Sequence, residues 1–592
     1  MPETPETIMS VLERTARDHG ERPAMRVKDG GQWRTTTWKE YREQAWLAAR
    51  GFLRLGLAPG QGVAIMGFNR PEWFLADVGA IAAGGIPAGI YITNSPEQCQ
   101  YIADHAEAAV AVVENTHYLD VFRQIRDRLP HLKAIVLMTG SASEEGVYTW
   151  QQLLDLGAQV PEEELRRRIE DQKPEDLCTL IYTSGTTGPP KAVMLSHHNV
   201  TWTTQRVVEA YGVNAEDAMI SYLPLSHIAE QVVSLHCSMA VGGCAWFAES
   251  IEKLGENLRE ARPSFFFAVP RVWEKMQAAI QAAGAQNTGL KKKIAAWARG
   301  VGLAGGRADQ EGRPRPILYP VANQLVFSKV REKLGLDRAR VCSTSTAPIS
   351  TETLEFFSSL GLPILEVYGM SECTGPATLS LPDHYHFGKV GRAILGTELV
   401  TAADGEVLMR GSHIFLGYFK SEEATRETLD ADGWLHSGDI GEIDDEGFLK
   451  ITDRKKELII TSGGKNIGPA VIEGKLRQIP AVSQAVVIGD RRNYLVALLT
   501  LDPARAAAEG QTAGSPARTP EALATCPVFR QYLEKQVEGV NATLARYETI
   551  KKFVILPREL SIDEGELTPT MKLKRRVVNQ KFADEIERLY AA

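Results

Sequence analysis

The segment Tyr182-Thr183-Ser184-Gly185-Thr186-Thr187-Gly188-Pro189-Pro190-Lys191 gathers hydroxyl side chains, two glycines and a lysine into one short loop. Glycine lets the backbone adopt positive φ and approach an anion closely, while exposed N–H groups and the Thr183, Ser184, Thr186 and Thr187 hydroxyls can donate to phosphate oxygens. Lys191 adds a mobile positive charge. This composition predicts a phosphate-gripping loop and a nucleoside triphosphate as substrate. The Walker loop is a poor match, because it needs four residues between its glycines and Ser or Thr after its lysine; only two separate Gly185 from Gly188, and Ala192 follows Lys191. A solvated Ser/Thr/Gly turn has a similar composition. The flanks argue for phosphate: residues 177–182 read as a short buried strand and 198–211 have helical spacing. A strand, the glycine loop and then a helix is the usual placement of phosphate capture in an alternating α/β fold.

Outward from this loop the same alternation continues. Short apolar runs at 63–66, 87–92, 108–113, 134–138, 218–222, 264–269 and 364–367 are separated by longer helical patterns, as in stacked βαβ units with largely parallel sheets. The run Phe265-Phe266-Phe267 reads as a core strand. The stretch 282–316 is rich in Gly, Lys, Arg and Gln and is expected to be a partly helical surface excursion; its Lys291-Lys292-Lys293 run reads as a solvated helix face, with phosphate or membrane contact as the alternative. After about residue 388 the pattern turns strand-rich with frequent glycine turns, and from Asp453 it becomes a small α+β unit with strands at 485–488, 495–501 and 553–556. Residues 504–525, rich in Ala, Gly and Pro, read as a loop insertion.

Composition sets bounds. A chain of 592 residues with 44% hydrophobic and 24% charged residues is expected to fold as a large globular protein. Its net charge of −8 gives no general attraction to nucleic acid, and it opposes an anionic membrane, so any membrane contact must be local and peripheral. The seven cysteines form no CxxC pair and are odd in number, which suits a reducing cytoplasm rather than a zinc site or a disulfide framework. Cys373 reads as a packing residue rather than a nucleophile. The acidic opening residues do not resemble a signal peptide. The apolar stretch 74–92 carries Asp77, the paired glycines Gly84 and Gly85, and Pro87, and so reads as a buried helix and strand rather than a membrane span.

Five segments in order resemble the signatures of the adenylate-forming superfamily, which includes acyl-CoA synthetases, luciferases and the adenylation domains of peptide synthetases. Besides the loop at 182–191 they are Tyr368-Gly369-Met370-Ser371-Glu372, Gly433-Trp434-Leu435-His436-Ser437-Gly438-Asp439, the hinge-like Asp453-Arg454-Lys455-Lys456-Glu457-Leu458-Ile459-Ile460, and Leu567-Thr568-Pro569-Thr570-Met571-Lys572. Residues 222–230, 367–376 and 456–466 are most similar to the bubblegum-type long-chain and very-long-chain fatty acyl-CoA synthetases. The resemblance implies a large N-terminal domain, 1–452, of layered, mostly parallel sheets with helices and a distorted β-barrel-like part. It also implies a small mobile α+β domain, 453–592.

The resemblance further implies the chemistry. A carboxylate is activated by coupling to the α-phosphate of ATP, and the thiol of coenzyme A then displaces AMP. The loop Thr183, Ser184, Gly185, Thr186, Thr187 and Gly188, with Lys191, would hold the outer phosphates. Glu372 would bind Mg²⁺, a hard cation that takes oxygen ligands. Tyr368, with Gly369 and Ser371, would bind adenine and its surroundings, and Asp439 and Arg454 the ribose and phosphate. Lys572 would stabilise the α-phosphate and carboxylate during adenylation. Lys456 would be the hinge about which the small domain turns to admit coenzyme A, with Lys465, Gly463 and Gly464 on its second face. His227, within Pro-Leu-Ser-His, occupies the position of the family's acyl-pocket aromatic residue. One departure stands out: relatives place glycine or alanine beside adenine, where this chain has Ser343-Thr344-Ser345-Thr346-Ala347-Pro348, a β-branched residue where the backbone passes the base. The expected activity is a fatty acid–CoA ligase. The alternatives are an acyl-AMP ligase that loads a carrier protein and a non-catalytic nucleotide-binding module.

Overall fold

The computed structural model of the chain describes residues 5–141, 143–183, 189–462, 465–568 and 572–591. Ser184, Gly185, Thr186, Thr187 and Gly188 lie outside the described residues, as do Gly463, Gly464 and residues 569–571 of the lysine motif.

Two mixed sheets with parallel centres form most of the chain. The first runs in the order Gly417–Tyr418, Lys191–Ser196, Leu177–Thr183, Ile86–Ile90, Gly62–Met66, Ala108–Val113, Ala134–Leu137, Val147–Thr149. Its central strands Gly62–Met66, Ile86–Ile90 and Ala108–Val113 are buried at every position. This explains why they read as unbroken apolar runs: helices cover both faces of a parallel sheet, so no residue is left to alternate toward water. Truncating one such side chain, for example Ile65→Ala, costs about 2–5 kcal/mol. The helix Pro71–Ala82 starts on a proline at its first turn and is buried almost all round, so it is a core helix, as its sequence predicted.

The second sheet has Phe265–Ala268, Val341–Thr344 and Leu365–Met370 as adjacent parallel strands, and it ends in the hairpin Pro23–Asp29 and Gln32–Thr37. A separate four-stranded antiparallel sheet, Glu398–Thr401, Glu406–Arg410, Leu435–Ile443 and Leu449–Arg454, curves as a half-barrel beside them. The last strand runs through Arg454. Beyond it the strands Val482–Ile488, Leu495–Leu501 and Ile550–Ile555 make a three-stranded sheet with its own apolar core. Among the described residues no helix is long and apolar enough to cross a membrane.

Two expectations are corrected. The glycine loop does not lead straight into a helix: it joins the antiparallel strands Leu177–Thr183 and Lys191–Ser196, with Thr183 paired to Lys191, and the helix His197–Tyr211 begins only afterwards. The run Lys191-Ala192-Val193-Met194-Leu195-Ser196 is an apolar strand that lies between the loop and that helix. The segment expected to grip phosphate is therefore flanked by two antiparallel strands rather than set directly before a helix. Residues 504–525 are likewise not a bare loop. They contain the helices Ala506–Thr512 and Pro520–Ala524, which bury Ala506 and Leu523 against the three-stranded sheet. Alanine-rich segments favour helix once an apolar contact holds them.

Candidate functional site

Each candidate side chain leaves a strand end or a tight turn. Tyr368 lies on Leu365–Met370, and a bulge separates it from Gly369. A side chain at position 369 would put its Cβ 1.7 Å from the Gly375 carbonyl oxygen, so only glycine lets this strand double back. A single 3₁₀ turn, Ser371–Cys373, follows, and Thr374 takes left-handed φ of 56° to close it. The Thr374 hydroxyl donates to the His413 carbonyl at 2.7 Å, and the Phe415 amide donates to the Glu372 carbonyl at 2.9 Å, fixing the turn against the segment that leads to Gly417–Tyr418. Cys373 is buried and burial pushes its thiol up to about 12, so it is the packing residue its sequence suggested.

Glu372 accepts a hydrogen bond from the Tyr418 hydroxyl at 2.7 Å, and the Lys191 ammonium lies 4.7 Å from the centre of the same Tyr418 ring. Pairing of Gly417–Tyr418 with Lys191–Ser196 places Tyr418 there. Tyr418 was not anticipated from sequence: it sits on a two-residue strand with no motif around it, and only the sheet edge brings it to Glu372.

Asp439 is buried on the half-barrel. Its carboxylate accepts from the Tyr368 hydroxyl at 2.8 Å and pairs with Arg454 Nε at 3.1 Å. The second contact is a rung of the sheet, since Asp439 and Arg454 are directly opposed across the two strands. The turn before Asp439 is held by the Gly438 amide donating to Glu406 at 2.9 Å, and Lys455 clamps Glu406 and Asp404 at 2.9 and 2.7 Å. Tyr368 thus supplies a hydrogen bond to the carboxylate as well as a ring face.

Lys572 reaches this cluster from the C-terminal unit. The Lys572 amide donates to the Thr568 hydroxyl at 2.9 Å, and the Thr568 amide donates to the Lys572 carbonyl at 2.7 Å, pinching the chain into a narrow turn. Glu566, fully buried and paired with Arg558 at 2.6 Å, anchors the turn from behind. Burial and the Arg454 guanidinium push the Lys572 ammonium down to about 8, against the opposing pull of Asp439, Glu372 and Glu457.

His227 belongs to the same neighbourhood. Burial and the nearby Lys572 charge push it down to about 3, and its Nδ1 accepts from the Ala229 amide at 3.1 Å. It is therefore a neutral imidazole with its proton on Nε2, able to donate one hydrogen bond but not to act as a cation. Its loop is held by Asn69, which donates to the Leu223 carbonyl at 2.7 Å. Gly89 also contributes, since a Cβ there would stand 2.7 Å from Ser226 Cα.

The structure thus brings Lys191, Tyr368, Glu372, Asp439, Arg454, Lys572 and His227 together, while Lys456 stands exposed on the turn after the strand Leu449–Arg454. The Ser343–Pro348 departure has a backbone counterpart: Thr346 adopts φ of 74°, a region that costs a β-branched residue of order 1–3 kcal/mol. Among the described residues one other group of donors could share an ion, His384, His386 and Glu446. Arg392 stands 3.5 Å from His384 Nδ1, and the Nε2 atoms of His384 and His386 face the same Glu446 oxygen at 3.6 and 3.7 Å.

A C-terminal lysine set against a buried aspartate, its paired arginine and a glutamate is the arrangement that the resemblance to adenylate-forming enzymes implied. Family models for the AMP-binding enzyme and for the AMP-binding enzyme C-terminal domain match residues 12–419 and 456–592. The chain belongs to the AMP-binding enzyme family. It is 45% identical to long-chain-fatty-acid–CoA ligase ACSBG2 of Xenopus laevis over 99% of this chain and 84% of that protein. It is 38% identical to the Homo sapiens ACSBG2 over 99% of this chain and 93% of that one. Its fold is similar to the anthranilate CoA ligase AuaEII in complex with anthranoyl-AMP, with a TM-score of 0.74 at 20% identity over 99% of this chain and 98% of that one. It is also similar to the adenylation domain of a carboxylate reductase from Mycobacterium chelonae, with a TM-score of 0.79 at 20% identity over 100% of this chain and 92% of that one.

Proposed function

We propose that the protein is an ATP-dependent long-chain fatty acid–CoA ligase that works through an acyl-adenylate. The carrying observation is that the Lys572 ammonium, supplied by the C-terminal unit, lies in the field of Asp439 and Glu372 of the large one, with Arg454 beside it at the junction of the two. In the first half-reaction a carboxylate oxygen of the acid bonds to the α-phosphorus, and the bond from that phosphorus to the bridging oxygen of pyrophosphate breaks. In the second, the sulfur of coenzyme A bonds to the acyl carbon, AMP departs, and the thiol proton is lost to solvent.

Anions must be held together before either step, and each residue answers part of that need. Lys191 and the loop 183–188 hold the outer phosphates. Asp439 accepts from the ribose hydroxyls, with Tyr368 and Arg454 orienting its carboxylate. Lys572 neutralises charge on the α-phosphate, and the His227 Nε2 proton is available to the fatty carboxylate. Mg²⁺, when bound, screens charge on the phosphates, and Glu372 would hold it: the Tyr418 hydroxyl engages only one of its oxygens. Residues 1–452 and 453–592 act as separate bodies. Lys572 must withdraw before coenzyme A enters, and Lys456, exposed just beyond the last half-barrel strand, is the pivot. The polar contacts between the two parts, such as Arg271 with the Ser483 hydroxyl at 2.9 Å, suit a joint that opens. We place the enzyme in the cytoplasm, touching membranes only peripherally.

The test is AMP release from purified protein with palmitate, ATP, Mg²⁺ and coenzyme A. Stoichiometric AMP and acyl-CoA are expected. No AMP from palmitate or from a panel of other carboxylates would end this reading.

A further inference from the structure

The excursion between the two halves of the second sheet forms a helical hairpin on the outside of the molecule. Its first arm is Gly289–Gln310, and its second is the continuous run Tyr319–Ala322, Asn323–Phe327 and Ser328–Leu334. The arms pack through Ala298, Ala322 and Phe327. Glycines fasten the hairpin to the body: a Cβ at Gly302 would stand 2.1 Å from the Ser359 carbonyl oxygen, and one at Gly306 would stand 1.8 Å from the Ser358 hydroxyl. The hairpin is thus seated firmly, and its outer face is fixed in direction.

That outer face is not what a water-facing surface requires. Ile317 is 94% exposed, Leu318 51%, Val321 45% and Leu325 46%; the last three are spaced at three and four residues along one ridge, and Ile317 lies in the turn at its start. The same spacing continues into Lys329 and Lys333, both exposed. On the first arm Leu290, 72% exposed, and Trp297 stand two turns apart, beside Lys291, Lys292 and Lys293. Residues 289–335 carry ten Lys or Arg against three Asp or Glu, an excess of seven positive charges in a chain whose net charge is −8. Arg307, Arg313 and Arg315 have acidic partners, whereas among the described residues the five lysines have none.

We infer that this hairpin docks the enzyme on an anionic phospholipid surface, with Ile317, Leu318, Val321 and Leu325 entering the headgroup boundary and the lysines meeting lipid phosphates. The chemistry distinguishes this occupant from others. Protein interfaces are depleted in lysine, whereas aliphatic side chains flanked by long, extensible lysines match a bilayer whose apolar interior lies just beneath negative headgroups. A bare polyanion would leave the aliphatic ridge in water. This deepens the peripheral contact proposed above and rests on it; the ligase reading is needed only for the benefit, which is access to an acyl substrate that partitions into the same bilayer.

The experiment is sedimentation of the full-length protein with extruded vesicles of phosphatidylcholine alone or with about 30% phosphatidylserine, at physiological salt. Binding to the anionic vesicles is expected, with at least about tenfold less to neutral ones. A triple variant I317S/L318S/V321S and a triple variant K291E/K292E/K293E should each weaken it about tenfold or more, while far-UV circular dichroism stays unchanged. Turnover of substrate presented in detergent should be retained by both variants, which separates loss of docking from failure of the ligase reading. Equal binding to neutral and anionic vesicles, undiminished binding by both variants, or no binding by the natural protein overturns the inference. Concentration-dependent self-association abolished by I317S/L318S/V321S would also overturn it, by assigning the ridge to a second copy of the chain.

Discussion

The cleft has two walls made in different ways. On the large-domain wall the two acidic candidates are tied at their side chains: Asp439 by Tyr368 at 2.8 Å and Arg454 at 3.1 Å, and Glu372 by Tyr418 at 2.7 Å. On the opposite wall Lys572 has its backbone pinned by Thr568, while among the described residues its ammonium makes no hydrogen bond and sits in the field of Arg454, Asp439, Glu372 and Glu457. In the proposed scheme the difference separates a preorganised receptor from a charge that arrives and leaves. Electrostatic catalysis needs the first to be rigid; a two-step reaction with incompatible second substrates needs the other to be removable.

The sharpest way to break this comparison is Lys572→Ala. It should lower adenylation, read as pyrophosphate exchange, by about 10²–10³-fold. Thioester formation from supplied acyl-adenylate should change only a few-fold. Equal loss in both assays would mean that the lysine wall does not withdraw between steps.

The pH profile gives the next effect. Lys572 is depressed from 10.5 to about 8, so it is charged below that pH and neutral above it. The kcat/KM for adenylation should therefore fall as pH rises through about 8, approaching tenfold per unit. Lys572→Arg should move that limb upward out of range. A limb that stays in place in the arginine variant would assign it to another group.

Tyr418→Phe probes the other wall. Loss of a hydrogen bond to a carboxylate is worth about 1.5–3 kcal/mol when buried. A roughly tenfold higher Mg²⁺ concentration for half-maximal rate is expected, with thiolysis of supplied acyl-adenylate unaffected. An unchanged Mg²⁺ requirement would remove Tyr418 from the positioning of Glu372.

Thr346→Gly is the mildest change. Relief of left-handed strain should outweigh the added flexibility of glycine and stabilise the fold by about 1 kcal/mol in urea titration. Destabilisation would mean that the threonine side chain holds this edge in place.

Much of this was legible because chemistry at short range leaves short-range marks. The buried parallel strands read as apolar runs, and Tyr368, Glu372, Asp439 and Lys572 stood inside local motifs. What escaped notice depends on distance. Tyr418 meets Glu372 only because the strand Gly417–Tyr418 joins an edge formed by Lys191–Ser196. That edge went unassigned in the sequence, since its six residues run directly from the glycine loop into the helix with no turn to mark them off. The neutral state of His227 is equally invisible in sequence: it follows from an amide two residues on and a lysine more than three hundred residues away.

The opposition of Asp439 and Arg454 on one rung carries a mechanical consequence. In the proposed scheme, the strand that bears Arg454 is the one from which the chain departs toward its final quarter, so a nucleotide held at Asp439 would tug on the root of the moving arm. Occupancy and swing then share a single lever, with no relay of intervening residues required to report one to the other.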